Sequence, residues 1–225
     1  MDDLADVNSD LSQQVVIDTQ SMPWQSSPSG SVWRKPLYRE GGEFGPVTSL
    51  VRYQAGGKFR RHAHPQGEEI LVLDGEFCDD HGRYPKGSYC LNPDGSQHTP
   101  YSDSGCTLLV RLRQYAGADR PQIKLDTTQA NWLQGMVEGL TVLPLYSQAN
   151  YVENMALVRW QPDTYFARHT HPGGEEIFVI EGTFEDEHGV YPEGSWLRSP
   201  HMSTHTPFSR QGCLIYVRVG GLAPA

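Results

Sequence analysis

The chain has 225 residues, 37% of them hydrophobic and 20% charged, which is enough apolar side chain for a packed core and excludes a wholly disordered protein. Its 18 basic and 27 acidic residues give a formal charge of −9, so neither direct binding to nucleic acid nor docking on an anionic membrane is expected. No secretory signal opens the sequence and no apolar run reaches the ~18 residues of a membrane-spanning helix, so we expect a cytoplasmic protein.

An internal repeat organises the chain. Residues 61–70 match residues 168–177 at an offset of 107 positions, and the match continues without a gap as far as Arg218. Upstream the offset becomes 108, as the pair Trp24 and Trp132 shows. Two copies of one structural unit are therefore expected.

The repeat predicts an N-terminal tail at residues 1–12, a first domain at 13–118 and a second domain at 119–225. Within each domain the local pattern favours short strands, such as residues 47–53 and 69–74, separated by glycine and proline turns. We therefore predict an all-β protein with a small sandwich or barrel in each domain. Exchange of a strand from the N-terminal part of each unit onto the sheet of the other is a further expectation.

Each copy carries the pattern H-x-H-x-x-x-E followed by a distant histidine. The first set is His62, His64, Glu68 and His98, and the second is His169, His171, Glu175 and His205. Histidines two apart on a strand point to one face, and the last histidine follows the glutamate by 30 residues in both copies. Three imidazoles with one carboxylate suit a divalent transition metal better than calcium or magnesium. We predict one metal per domain, favouring zinc, with iron, manganese or nickel as alternatives.

A second glutamate, Glu69 or Glu176, follows each predicted glutamate ligand. Parity with the apolar strand that follows leaves both glutamates of each pair open. The distance to the glycine that closes the strand favours Glu68 and Glu175 as the ligands.

The pattern resembles the cupin signature, in which H-x-H-x(3,4)-E-x6-G is followed by P-x-G and a final histidine. Within the cupins it most resembles the ChrR-type cupin-like family, through the words H-P-x-G-E-E-I, F-x-D-x-x-G-x-Y-P-x-G-S and S-x-H-T-P, which occur in both copies. The resemblance implies a bicupin, with two double-stranded β-helix (jelly-roll) barrels in tandem.

The family implies two functions. In ChrR proteins such a domain binds zinc and follows a zinc-binding anti-sigma domain, which residues 1–60 cannot form because they contain neither cysteine nor histidine. Other relatives resemble Fe(II) dioxygenases that cleave diketones or hydroxyketones. We favour a metal-binding regulatory, stress-sensing module with an alternative sigma factor or a small molecule as its partner. A dioxygenase is the alternative, and a small-molecule-binding storage or scaffold protein is a third hypothesis.

The two leading hypotheses differ in metal coordination. Four protein ligands complete a tetrahedral zinc, which makes a closed structural or sensory site. The same four ligands on octahedral iron, manganese or nickel leave two positions for dioxygen or substrate.

Four further residues are candidates for a role near the metal. Cys106 and Cys213 follow the last histidine of each copy by eight residues, so each is either a thiol that reports oxidation or a core cysteine. Arg60 shares the strand parity of the H-x-H histidines and is either an anion-binding group or a surface arginine at the barrel mouth. His201 is a candidate to tune or crowd the second site. The two sites are therefore expected to differ, and a homodimer is expected.

Overall fold

The computed structural model describes residues 5–27, 30–42 and 44–222. These residues form strands joined by turns and contain no helix, which confirms the all-β prediction. In the described part of the chain there is accordingly no helical segment with the length and apolarity needed to cross a bilayer. Residues 1–4 of the predicted tail lie outside the described residues, while Val7 forms a two-way backbone bridge with Arg39.

The chain forms two compact units. Unit 1 comprises the described residues up to Ser9 together with Pro23–Ala130, and unit 2 comprises Asp10–Met22 with the described residues from Asn131 onwards. The strands of the first half are β1 (Val15–Asp18), β2 (Gln25–Ser26), β3 (Val32–Arg39), β4 (Val47–Tyr53), β5 (Gly57–Lys58), β6 (His62–His64), β7 (Glu68–Asp79), β8 (Gly82–Pro85), β9 (Ser88–Asn92), β10 (Ser96–His98), β11 (Tyr101–Ser102) and β12 (Cys106–Leu112). Those of the second half are β13 (Ile123–Asp126), β14 (Leu133–Gln134), β15 (Leu140–Tyr146), β16 (Asn154–Trp160), β17 (Thr164–Tyr165), β18 (His169–His171), β19 (Glu175–Asp186), β20 (Gly189–Pro192), β21 (Ser195–Ser199), β22 (Ser203–His205), β23 (Phe208–Ser209) and β24 (Cys213–Val219).

The two units repeat one topology. In unit 1 the main sheet has the order β13-β9-β7-β12-β4-β3-β2, with β5, β8 and β11 attached, and β6 pairs with β10 separately. In unit 2 the order is β1-β21-β19-β24-β16-β15-β14, with β17, β20 and β23 attached, and β18 pairs with β22. The sequence repeat is thus reproduced strand by strand.

One strand of each sheet comes from the segment that the repeat assigns to the other copy. β1 pairs with β21 of unit 2, and β13 pairs with β9 of unit 1. A threonine after each strand closes the arrangement, because the hydroxyl groups of Thr19 and Thr127 donate to the carbonyl oxygens of Gly194 and Gly87, both at 2.6 Å. The expected strand exchange is therefore present.

The longest strand of each unit bends at a glycine. Gly75 lies within β7 with φ at 71°, and a Cβ atom there would lie 2.1 Å from the carbonyl oxygen of Gly105. The bend lets the first part of β7 pair with β9 and the last part with β8. Glu68 and Asp79 therefore stand at opposite ends of one bent strand. Gly182 repeats this arrangement in β19.

Each unit encloses an apolar core behind its histidines. In unit 1 the rings of Phe77 and Tyr84 stack at 5.9 Å between centroids, and Phe77 lies 6.0 Å from His98. In unit 2 Phe184 lies 6.1 Å from His205 in the same way. The core thus supports one histidine of each predicted metal site.

Candidate metal centre

The histidines of unit 1 meet through a short antiparallel pair. β6 pairs with β10 so that His62 stands opposite His98, and His64 shares the face of His62 because it lies two residues further on. The ring centroids are 4.6 to 5.2 Å apart, and one nitrogen from each ring lies within 4.8 Å of the other two. The Nε2 atoms of His64 and His98 face each other at 2.9 Å.

Unit 2 repeats this triad. The pair β18 and β22 places His169 opposite His205, and the three ring centroids are 4.6 to 4.9 Å apart. His171 completes the group, and again one nitrogen from each ring lies within 4.8 Å of the other two. Each unit therefore holds three imidazoles that can bind one metal ion.

One glutamate of each pair turns toward the triad. The Oε2 atom of Glu68 lies 3.5 Å from Nε2 of His64 and 3.7 Å from Nε2 of His98. Glu69 points away, since its carboxylate accepts hydrogen bonds from Arg111 at 2.9 Å and from Tyr115. The structure therefore selects Glu68 as the residue next to the histidines.

The same choice is made in unit 2. Oε2 of Glu175 lies 3.5 Å from Nε2 of His171 and 3.6 Å from Nε2 of His205. Glu176 instead accepts a hydrogen bond of 2.6 Å from the indole N–H of Trp196.

Hydrogen bonds at Nδ1 orient two of the three rings in each unit. In unit 1 Nδ1 of His62 donates to the carbonyl oxygen of Arg60 at 2.8 Å, and Nδ1 of His98 donates to Asp79 at 3.1 Å. In unit 2 His169 and His205 make the equivalent bonds. A proton held on Nδ1 leaves the lone pair of Nε2 free for a metal.

The electrostatics keep the inner histidines neutral. Burial, together with the neighbouring imidazoles, lowers the pKa of His64 and of His171 to about 3. Burial also raises the pKa of Glu68 and Glu175 to about 7, against the attraction of the last histidine. Neutral imidazole is the form that binds a metal, and a cation would offset the cost of burying the carboxylate.

The donor set fits a transition metal. The Nε2 atoms of His171 and His205 are buried, and no group of the described residues forms a hydrogen bond with them. Buried polar atoms normally have a partner, and a metal ion would supply it. Imidazole nitrogens with one carboxylate are the ligands that zinc, iron, manganese and nickel accept.

Sequence reasoning missed the aspartates that orient the last histidines. Asp79 and Asp186 belong to the word F-x-D-x-x-G-x-Y-P, which is present in both copies, so the duplication itself was the available signal. The tyrosine of the same motif contacts the aspartate in both units. The hydroxyl groups of Tyr84 and Tyr191 donate to Asp79 and Asp186 at 3.2 and 3.0 Å.

Two further contacts distinguish the site in unit 1. Nδ2 of Asn92 donates to Oε2 of Glu68 at 3.0 Å, and the ammonium group of Lys124 donates to the hydroxyl of Tyr84 at 2.5 Å. At the repeat offsets unit 2 has Ser199 and Val16 in place of Asn92 and Lys124. In unit 1 Asn92 thus contacts Glu68 directly, and Lys124 contacts the tyrosine that donates to Asp79.

The cysteines lie in the cores. Cys106 packs in the apolar cluster that includes Tyr53 and Phe77, and Cys213 packs in the equivalent cluster of unit 2. Burial raises the pKa of the two thiols to about 11 and about 12, respectively. A thiol that reports oxidation needs a lowered pKa and solvent access, so these positions match the core interpretation.

Arg60 and His201 have different positions. The exposed Arg60 lines a cavity next to the triad of unit 1. His201 is exposed and its Nδ1 accepts the backbone N–H of Gly173 at 2.9 Å. Its counterpart Asp94 does the same for Gln66 at 2.7 Å. His201 thus fixes the turn after the H-x-H strand.

A cavity of about 1110 Å³ in unit 1 reaches the triad. His62, His64, His98 and Glu68 form part of its wall. Aliphatic and aromatic side chains form another part, among them Val51, Phe59, Ile70, Phe77, Leu108 and Val110. The site in unit 1 is therefore accessible to a small molecule.

Comparisons with known proteins agree with this architecture. The profile of the family described as "ChrR Cupin-like domain" matches residues 12–116 and again residues 120–223. No curated protein sequence matches the chain.

Several solved structures share the fold. A Nostoc punctiforme protein with a provisional assignment as a dioxygenase is similar with a TM-score of 0.77 and 18% identity, over 92% of this chain and 82% of that one. The Escherichia coli protein YlbA is similar with a TM-score of 0.74 and 12% identity, over 96% and 94% of the two chains. A salicylate 1,2-dioxygenase from Pseudoaminobacter salicylatoxidans, solved with gentisate adducts, is similar with a TM-score of 0.66 and 10% identity, over 94% and 82%.

Proposed function

The chain belongs to the ChrR cupin-like family, as a bicupin that carries the domain twice. We propose that it is a metal-dependent enzyme of the dioxygenase class with its catalytic metal in unit 1. The observation that carries the proposal is the cavity of about 1110 Å³ that reaches the histidines and Glu68 of unit 1. A metal that serves only structure or sensing needs no such access, because four protein ligands complete its coordination. The similar structures that are named as dioxygenases support the reaction class.

The residues of unit 1 have separate tasks in this proposal. A redox-active divalent metal, when bound, supplies the activation of dioxygen and of a chelating substrate. Asp79 keeps the proton of His98 on Nδ1, and Asn92 fixes the carboxylate of Glu68. The aliphatic and aromatic part of the cavity wall offers a surface for the apolar part of a substrate.

The regulatory function that the family resemblance favours has less support at these residues. It predicts reactive thiols beside a closed metal site, whereas burial raises the pKa of Cys106 and Cys213. Iron, manganese or nickel therefore replaces zinc as the favoured metal in unit 1. An alternative sigma factor as partner and a homodimer stay predictions.

Metal analysis and oxygen uptake test the proposal. Protein purified anaerobically is analysed for metal, loaded with Fe(II), and assayed for oxygen uptake with β-diketones, hydroxyketones and organic acids. His64→Ala in unit 1 is expected to abolish uptake, while the matched variant His171→Ala in unit 2 loses one metal and keeps most of the activity. Two tightly held zinc ions with no uptake after iron loading, or loss of uptake in His171→Ala alone, would overturn the proposal.

A further inference from the structure

The cavity of unit 1 has a charge opposite to that of the whole chain. Its basic lining residues are Arg34, Arg39, Lys58, Arg60, Arg61 and Arg113. Its one acidic lining residue among the described residues is Glu68, which turns toward the histidines. In a chain with a formal charge of −9, such a concentration of cations in one cavity indicates a role for positive charge there.

Several of these cations have no carboxylate partner among the residues that the structure describes. Arg34, Lys58 and Arg60 form no ion pair with any described carboxylate, although other arginines of unit 1 do. Arg83, for example, pairs with Glu76 at 2.6 Å. An anionic ligand in the cavity would pair with these cations.

The partly buried Arg34 lies close to the metal ligands. Its guanidinium carbon is 5.5 Å from the centre of the Phe59 ring, and that ring lies 6.3 Å from the ring of His62. Burial is the main cause that lowers the pKa of both Arg34 and His62, and the charge of Arg34 lowers that of His62 further. Only the Phe59 side chain therefore separates the charge of Arg34 from His62.

The repeat provides an internal comparison. Arg34 pairs with Val51 across β3 and β4, and at the same register of unit 2 Val142 pairs with Val158. The other three replacements, at the repeat offset, are Lys58 by Tyr165, Arg60 by Ala167 and Arg113 by Gly220. Unit 2 keeps the same metal ligands without these four cations.

Arg113 occupies a backbone conformation that usually favours glycine. Its φ is 60°, and its counterpart Gly220 has φ at 82°. Both residues donate their backbone N–H to the carbonyl oxygen of the equivalent glycine, Gly67 or Gly174, at 3.0 Å. Left-handed residues other than glycine occur elsewhere in the chain, but the side chain of Arg113 also lines the cavity. Unit 1 thus accepts backbone strain where it places a cation.

We propose that the cavity of unit 1 binds an organic carboxylate, whose negative group pairs with Arg34, Arg60 and Arg113 and whose apolar body packs on the aliphatic and aromatic wall. The apolar lining distinguishes this ligand from an inorganic anion, which would gain nothing from it. The inference rests on the proposed function, because it names the substrate class of the same site.

Binding of benzoate to the zinc-loaded protein tests the proposal without turnover. Calorimetric titration is expected to show benzoate binding that weakens with added salt, and no comparable binding of the neutral benzamide. Arg34→Val and Arg113→Gly install the residues of unit 2, and each is expected to weaken benzoate binding about tenfold. Arg113→Gly also removes a left-handed arginine, so its fold is expected to be retained.

Arg168 provides the matched control, since it lies in unit 2 and contacts Glu187 and Thr204. Arg168→Ala is expected to leave benzoate binding unchanged. Equal binding of benzoate to the wild type and to Arg113→Gly, or binding of inorganic phosphate without binding of benzoate, would overturn the proposal.

The failure of this inference and that of the proposed function are distinguishable. Benzoate binding without oxygen uptake by the iron-loaded protein would support the anion pocket and refute the dioxygenase. Oxygen uptake with a neutral diketone in a protein that does not bind benzoate would refute the carboxylate and support the dioxygenase.

Discussion

The hydrogen bond between His98 and Asp79 allows a specific test of the metal site in unit 1. Oδ2 of Asp79 accepts Nδ1–H of His98, while its Oδ1 accepts the hydroxyl of Tyr84 at 3.2 Å and the backbone N–H of His81 at 2.8 Å. In Asp79→Asn one of these oxygens becomes an NH₂ group. If the amide oxygen stays with the two donors at Oδ1, the NH₂ faces His98. His98 must then carry its proton on Nε2, the atom that would bind the metal.

The expected magnitude follows from this change of tautomer. Loss of a group that orients a metal-binding histidine typically lowers metal affinity 10- to 100-fold, or by about 1.4–2.8 kcal/mol. The opposite amide orientation places the NH₂ against the two donors at Oδ1, so neither orientation restores the native contacts. We therefore expect the Kd of the unit 1 metal to rise about 10- to 100-fold in Asp79→Asn.

Competition with a fluorescent zinc chelator measures this Kd. The His171→Ala background restricts the titration to unit 1, and Asp186→Asn in that background is the matched control with no expected effect. Thermal unfolding of the metal-free variants checks that the fold is retained. An unchanged Kd in Asp79→Asn would refute the assignment of His98 as a metal ligand that is oriented by Asp79.

Three further predictions concern stability and reactivity. Gly75→Ala combines a φ of 71° with a Cβ atom 2.1 Å from a carbonyl oxygen, and we expect it to lower the free energy of unfolding by about 3 kcal/mol or more. Gly95→Ala, at φ 79° in open space, is the control and is expected to cost about 1 kcal/mol. Equal losses of stability in urea denaturation would contradict the strained bend at Gly75. Glu69→Gln breaks a buried ion pair with an arginine that is 1% exposed and is expected to cost about 3–5 kcal/mol, and an unchanged denaturation midpoint would refute it. Because the pKa of the Cys106 and Cys213 thiols is raised, both thiols stay protonated through pH 8 and are expected to react with a thiol reagent only as the protein unfolds. Rapid labelling of the native protein at pH 8 would contradict this and favour the sensory function.

The duplicated sequence determined the fold class and the histidines of both candidate metal sites. Two copies of one pattern, with equal spacing, identify the histidines because strand periodicity places residues two apart on one face. The H-x-H pairs lie on β6 and β18 as this periodicity requires. The glycine that the sequence analysis placed at the end of a short strand is instead a bend, because β7 continues through Gly75 to Asp79 and the bend admits no Cβ atom there.

The sequence favoured Glu68 over Glu69, and the tertiary structure decided that Glu68 faces the histidines. Glu68 and Glu69 point to opposite faces of β7, and both are buried, so hydrophobic patterning cannot separate them. The neighbours separate them, since Arg111 of β12 pairs with Glu69 and leaves Glu68 to the histidines.

The charged cavity and the exchanged strands were likewise decided by long-range contacts. Arg34, Arg60 and Arg113 are far apart in sequence and line one cavity only because β3, the segment before β6 and the turn after β12 border it. The residues of β13 alternate between partly buried and exposed, and this pattern does not name the partner strand. Periodicity depends on the chain alone, whereas the identity of a neighbour depends on how the chain folds back on itself.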